Sequence, residues 1–330
     1  MIGLFKQQTP ANILFVFVLG VLIKLPLIWH SDNPHVDEQA AILYKEIISL
    51  LNSLNSRSRL LYPVLTYLLL FTQAMQLNKL MNNYRLMQRS TFLPAASYLI
   101  ITSLMPGWNV FSDSLIVNSF VLWVFAGLFK LYNQQNVKAD IFNIVLAIGI
   151  SSFIFFPSII LFGWLIFALM VMRTVKINEW LICLLGVTAP FYFYAAWLFF
   201  SDAWNWNKLF TPFHISVPVP EQSLWLAASS FLLIVPFLTG GYFVQENLRK
   251  MLIQVRKNWS LLLIFLLFAL FIPFLNNDSS GLENWILIAV PFAAFHACTY
   301  LYPPKRWFPV VIFWLSVLFI LAYQYRGPGW

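Results

Sequence analysis

Two adjacent carboxylates, Asp37 and Glu38, are the residues of this chain best suited to chemistry. They stand in residues 30–59, the longest polar interruption in a chain made mostly of hydrocarbon. A carboxylate beside a membrane surface can serve as a general base, taking a proton from an acceptor hydroxyl while a lipid-linked phosphate leaves. The alternative reading is electrostatic: acids favour a helix N-terminus, where the dipole stabilises them by about 0.3–1 kcal/mol. Asn33-Pro34 reads as such a start, a capping side chain followed by proline at the first helical position. His30, His35 and Asp37 would suit a divalent metal, although two histidines bracketing a turn are commonly just solvated.

Three further groups are candidates. Lys24 is the one basic residue well inside an apolar run. It either contacts a phosphate from within the bundle or reaches the nearby interface, which lowers the insertion cost of about 2.5–3.5 kcal/mol for a central charge. Residues 201–222 hold Trp204, Trp206, Phe210, Phe213 and His214, with prolines that forbid a regular helix. They read as an interfacial aromatic belt, or as a cap whose tryptophan faces stack on a sugar. His296 stands alone in an apolar run and reads as a hydrogen-bonded core histidine.

The elements that must position these residues are membrane helices. Of 330 residues, 60% are hydrophobic and 10% charged, too few charges to cover a soluble domain of this size. Runs of roughly 17–25 apolar residues mark spans. They fall near 12–29, 60–80, 92–107, 114–132, 141–156, 158–173, 180–200, 223–244, 260–275, 284–301 and 307–324. The run from Ile141 to Met172 is too long for one crossing and is divided at Phe156-Pro157. The first run lacks a small-residue cleavage site and reads as an uncleaved span. The fold expected is an all-α polytopic transmembrane bundle of about 11 spans, a single domain over residues 1–330.

Charge supports that count. With the N-terminus in the cytoplasm, alternation places 14 of the 20 basic residues on the cytoplasmic side and nine of the 12 acids outside. This is the skew that the positive-inside rule describes. It explains the net charge of +8 by topology and removes the case for a nucleic-acid partner. The long segments 30–59 and 201–222 then face outward. Within the first, Leu43, Ile47, Leu50, Leu51 and Leu54 recur at helical spacing, an amphipathic helix in the interface. The basic segment 245–259 reads as lying on anionic headgroups on the inner side. Cys183 and Cys298 sit in apolar runs and read as small buried side chains. There is no Walker loop and no dinucleotide fingerprint, so no nucleotide cofactor is expected. Membrane lipids are the first expected partners, in the inner (cytoplasmic) membrane.

Asp37-Glu38 followed by Tyr44, on an amphipathic helix after an N-in first span, resembles the opening of the GT-C superfamily of polytopic glycosyltransferases. Protein O-mannosyltransferases and aminoarabinose lipid-A transferases of that group carry a similar Asp-Glu pair in the first outer loop. Leu104-Met105-Pro106 through Ser112-Asp113-Ser114-Leu115 resembles the family's short outer turn, and the spans hinged at Pro157 are a third, weaker likeness. The resemblance covers about residues 1–200, ahead of the aromatic segment 201–222 and the C-terminal spans 223–330. The chain is small for the family and lacks its large C-terminal outer domain.

The resemblance implies a donor that is a polyprenyl-phosphate-linked sugar, Asp37 as base, and Glu38 as its neighbour or a metal contact. It further implies that Asp113 orients the acceptor and that Arg57 and Arg59 neutralise the lipid phosphate; without it, those arginines are snorkelling anchors. Whether a divalent metal takes part is left open. The chain also resembles uncharacterised integral membrane proteins of Bacteroidota. Two other functions stay open: a non-catalytic subunit of a cell-envelope complex, and a lipid or solute transporter. The transporter reading finds few polar residues deep in the spans and no clear inverted repeat.

Overall fold

The computed structural model describes residues 2–6, 9–29, 34, 40–54, 60–174, 176–210, 215, 217, 223–275, 282–305 and 307–326. Among these the chain is helical throughout, with no strand. The α-helices are α1 (Ile2–Phe5), α2 (Pro10–Trp29), α3 (Ile42–Leu54), α4 (Leu61–Asn83), α5 (Leu93–Leu104), α6 (Asp113–Lys130) and α7 (Lys138–Ser151). There follow α8 (Leu161–Met172), α9 (Ile177–Phe200), α10 (Trp206–Leu209), α11 (Leu224–Asn247), α12 (Ile253–Phe271), α13 (Ala289–Leu301) and α14 (Trp307–Arg326). Among the described residues six helical segments are long and apolar enough to cross a membrane: 113–130, 177–200, 224–250, 253–275, 282–301 and 307–324. The protein is thus a multi-pass membrane protein by the length and composition of its helices. Shorter apolar helices lie at 11–26, 93–104 and 156–172.

The break between α7 and α8 is wider than a single proline. Ser152 to Phe155 leave the helix, and Phe156–Ile160 form a 3-10 turn with Pro157 near its start. Ser151 and Ser158 meet across it at 3.0 Å, each satisfying the other's buried hydroxyl. The segment 245–259 is helical over most of its length: α11 runs to Asn247, a 3-10 turn spans Leu248–Lys250, and α12 starts at Ile253. Its basic residues ride on the ends of two helices.

The centre of the bundle is α5 against α13. All twelve residues of α5 are buried, as are those of α13 from Ala289 to Tyr300. Such all-round burial leaves these two helices no lipid-facing side. Around them, Phe125, Trp164 and Phe265 form a buried aromatic trio with centroids 4.8–5.1 Å apart. The outermost pair is α7 with α9. There Gly149 faces Pro190 and Gly186 faces Val145, so the two helices approach closely.

Connections sort into two ends. At one, residues 105–112 pack on 282–288, and Leu43 N donates to Phe153 O at 3.0 Å. At the other, Phe92 N donates to Phe5 O, Trp259 Nε1 to Leu86 O, and Arg173 to Gln134 O. This second end gathers Arg85, Lys130, Lys138, Arg173, Arg256 and Lys257.

Candidate functional site

The turn at 105–112 organises the first end. Met105 leaves α5 in an extended conformation, Pro106–Asn109 make one 3-10 turn, and Ser112 caps α6 by accepting from Leu115 N at 3.2 Å. Trp108 is buried and its indole donates to Leu282 O at 2.9 Å. Ser114 Oγ donates to Glu283 O at 3.1 Å. The turn is therefore tied to a segment about 170 residues away in sequence.

Lys24 enters this turn from α2. Its side chain is buried, and Nζ donates to Thr102 Oγ1 at 3.0 Å and to Asn109 Oδ1 at 2.5 Å. Thr102 passes its own proton back to the Tyr98 carbonyl, which frees its oxygen to accept. Asn109 donates its amide to Thr102 O at 2.8 Å and Met105 O at 3.0 Å, which aims Oδ1 at the ammonium. Of the two readings of Lys24, the reach to the interface fails: the amine points into the bundle, where its partners are Thr102 and Asn109. Two neutral oxygens satisfy the buried amine, and no carboxylate lies within 4.0 Å of it among the described residues. An ammonium has three N–H groups, and these two oxygens take two of them.

Tyr44 reaches the same turn from α3, donating to Phe111 O at 3.1 Å. The side of α3 turned to the core carries Tyr44 and Ile48, with Ile47 and Leu51 partly buried, whereas Leu43 and Leu50 are exposed. The apolar stripe is thus rotated from the one spacing suggests. The helix also begins at Ile42, with Pro34 outside any helix, so Asn33-Pro34 is not its start. Asp113 sits half-buried in the first turn of α6, where Oδ1 accepts from Ser114 N at 2.6 Å. The turn thus joins Lys24, Tyr44 and Asp113 through neighbouring residues, and adds Thr102, Asn109 and Glu283, which sequence reasoning missed. Thr102 and Asn109 gave no signal because neutral polar residues in a turn are ordinary.

Trp204 and Trp206 lie elsewhere. Both are exposed, 5.3 Å apart by centroid, and Trp206 stacks on Phe210, which in turn stacks on Phe191 of α9. They extend the outermost helix and make no contact with the turn. Asp37, Glu38, Arg57, Arg59, His214, His30 and His35 lie outside the described residues. Among the described residues no three His, Cys, Asp or Glu side chains group to hold a metal. His296 is a hydrogen-bonded core histidine, with Nε2 2.8 Å from Leu233 O. Both cysteines are buried and free.

Behind the turn lies a second polar layer. Tyr98 donates to Gln73 Oε1 at 2.6 Å and accepts from Asn118 Nδ2 at 2.7 Å, and Gln73 donates to Leu115 O and Ser119 Oγ. It joins α4, α5 and α6 in a region where water is scarce. Tyr98→Phe strands Gln73 Oε1 and the Asn118 amide, whose Oδ1 already has no partner among the described residues. The expected loss is about 1–2 kcal/mol, read as a lower unfolding midpoint in detergent.

The chain matches the family of unknown function DUF6427 over residues 40–328. It belongs to that family. The matched span takes in Tyr44, the whole 105–112 turn, Asp113 and Glu283, and begins after Lys24, Asp37 and Glu38. No curated protein and no solved structure matches the chain. What the DUF6427 turn offers chemically is one buried lysine amine donating to two oriented neutral oxygens, with the half-buried carboxylates Asp113 and Glu283 at the same turn.

Proposed function

We propose that this DUF6427 protein transfers a sugar from a polyprenyl-phosphate donor to an acceptor on the outer face of the inner membrane. The observation that carries the reading is the Lys24 ammonium, held inside the bundle by Thr102 and Asn109 with no carboxylate to neutralise it among the described residues. A cation so placed suits a phosphate diester or monoester at the head of a lipid. In the transfer, the acceptor oxygen bonds to the anomeric carbon and the bond from that carbon to the lipid phosphate breaks. The proton of the acceptor goes to Asp37, with Glu38 beside it, and Asp113 orients the acceptor. Arg57 and Arg59 share the phosphate charge. The resemblance of Asp37-Glu38, Tyr44 and the 105–112 turn to GT-C enzymes supports this assignment.

The topology proposed with it has eleven crossings and a cytoplasmic N-terminus. Its support is the sorting of Arg85, Lys130, Arg173 and Lys257 to the end opposite the turn. The test is Asp37→Asn in the native host, with membrane level checked and glycans profiled by mass. Loss of one defined sugar mass from one glycan, with protein level unchanged, is the expected result. Unchanged glycans sink the reading.

A second reading, a non-catalytic subunit of an envelope assembly, draws on α9. Only 17% of that helix's apolar window is buried, and Phe193 and Trp197 are exposed along it. Here Asp37→Asn is silent, and a charge at Phe193 breaks assembly.

A further inference from the structure

The end of the bundle opposite the 105–112 turn carries a groove that the sugar-transfer reading does not use. It holds about 360 Å³ between the α4–α5 connection and the α11–α12 connection. Arg85 and Lys250 stand on its two sides, both exposed, and neither has a carboxylate partner among the described residues. Gln88 Nε2 donates to Asn247 Oδ1 at 3.3 Å, tying the two sides together. The nearest acid in sequence, Glu246, is exposed and does not line the groove. Arg85 has φ of 50°, a left-handed conformation that is strained for a residue with a Cβ. The chain thus accepts strain at the residue that brings a guanidinium to the groove.

The groove is not polar throughout. Leu86 and Met87 form a buried apolar floor, Leu252 lines the groove at 68% exposure, and Ile253, the next residue in the chain, is 57% exposed. Two unpaired cations over hydrocarbon, at the end of a membrane bundle, match a ligand with an anionic head and apolar tails. A free phosphate would use the cations and leave Leu252 and Ile253 without a role.

We propose that this groove binds the phosphate of an anionic phospholipid between Arg85 and Lys250, with its acyl chains running over Leu252 and Ile253. Basic pockets between membrane helices bind phospholipid head groups by this physics. Two cations near the surface correspond to about a thirtyfold preference over a zwitterionic lipid.

The test is native mass spectrometry of the full chain in detergent, with phosphatidylglycerol or phosphatidylcholine added. Wild type is expected to retain phosphatidylglycerol about thirtyfold better. The pair Arg85→Asn and Lys250→Gln is expected to bring the two lipids within about twofold. Asparagine accepts the left-handed backbone, so the variant keeps the loop. Lys305→Gln, a charge change at the same end outside the groove, is expected to leave retention unchanged. Equal retention of both lipids by wild type overturns the proposal, as does an unaltered preference in the double variant. An equal loss in Lys305→Gln overturns it in favour of diffuse surface charge, and displacement of the lipid by millimolar inorganic phosphate overturns it in favour of a soluble anion.

Discussion

Gly240→Ala is expected to lower the unfolding midpoint sharply, while Gly241→Ala next to it is neutral or raises it. A Cβ on Gly240 would lie 2.0 Å from the Phe295 carbonyl oxygen and 2.7 Å from its carbon. Those atoms are backbone and cannot rotate away, so α11 must move from α13 by about 1 Å or more. That movement also stretches two bonds across the crossing. His296 donates Nε2–H to Leu233 O at 2.8 Å, and Thr299 donates to Pro236 O at 2.5 Å. The carbonyl can only accept, which assigns the histidine proton to Nε2. Both donors come from α13 and reach α11 carbonyls next to Pro236, whose missing N–H interrupts the helix ladder at the Leu232 carbonyl. Overpacking alone costs about 1–3 kcal/mol, and the two bonds add about 1 kcal/mol. At Gly241 nothing lies within 4 Å of the added carbon, and alanine in a helix gains up to about 1 kcal/mol. Thermal unfolding in one detergent decides it: equal shifts for the two variants would show that the crossing is looser than described.

Lys24→Met is expected to leave stability within about 2 kcal/mol of wild type and to cut binding of polyprenyl phosphate by tenfold or more. The signs differ for a reason. Removing the charge relieves an insertion cost of about 2.5–3.5 kcal/mol. Against that, Asn109 Oδ1 loses its donor, at about 1–3 kcal/mol, while Thr102 keeps its bond to Tyr98 O. A charge-assisted bond to phosphate is worth roughly 1.5–3 kcal/mol, and no methionine replaces it. Binding followed by native mass spectrometry and stability by thermal unfolding separate the two roles. A large fall in the midpoint with unchanged lipid binding would make Lys24 a structural residue and remove the main support for the sugar-transfer reading.

The helical pattern was open to reading because hydrocarbon length is a strong signal. Each apolar run coincides with a helix or a helix-and-turn segment, and the break near Pro157 is real. What sequence could not supply was facing. Spacing on α3 named Leu43 and Leu50, both of which are exposed, because a helix with lipid on one side and protein on the other is apolar on both. The same limit hid the direction of Lys24, since snorkelling and inward hydrogen bonding leave the same letter in the same run. At the candidate site, Asp113 and Tyr44 were legible and do meet one turn. Asn109, Thr102 and Glu283 were not, because their importance is created by packing across about 170 residues rather than by spacing.

The burial of α5 has a consequence for biogenesis. A helix of twelve residues emerges from the ribosome early, carries Ser97, Thr102 and Ser103, and is too short to cross a bilayer unaided. The surface that covers it, α13, is made nearly two hundred residues later. During translation this segment must therefore wait, half-clad, beside α2 and α4 or in the care of an insertase. Final assembly closes from the C-terminal side, and a nascent chain halted before residue 289 has its centre still open to lipid.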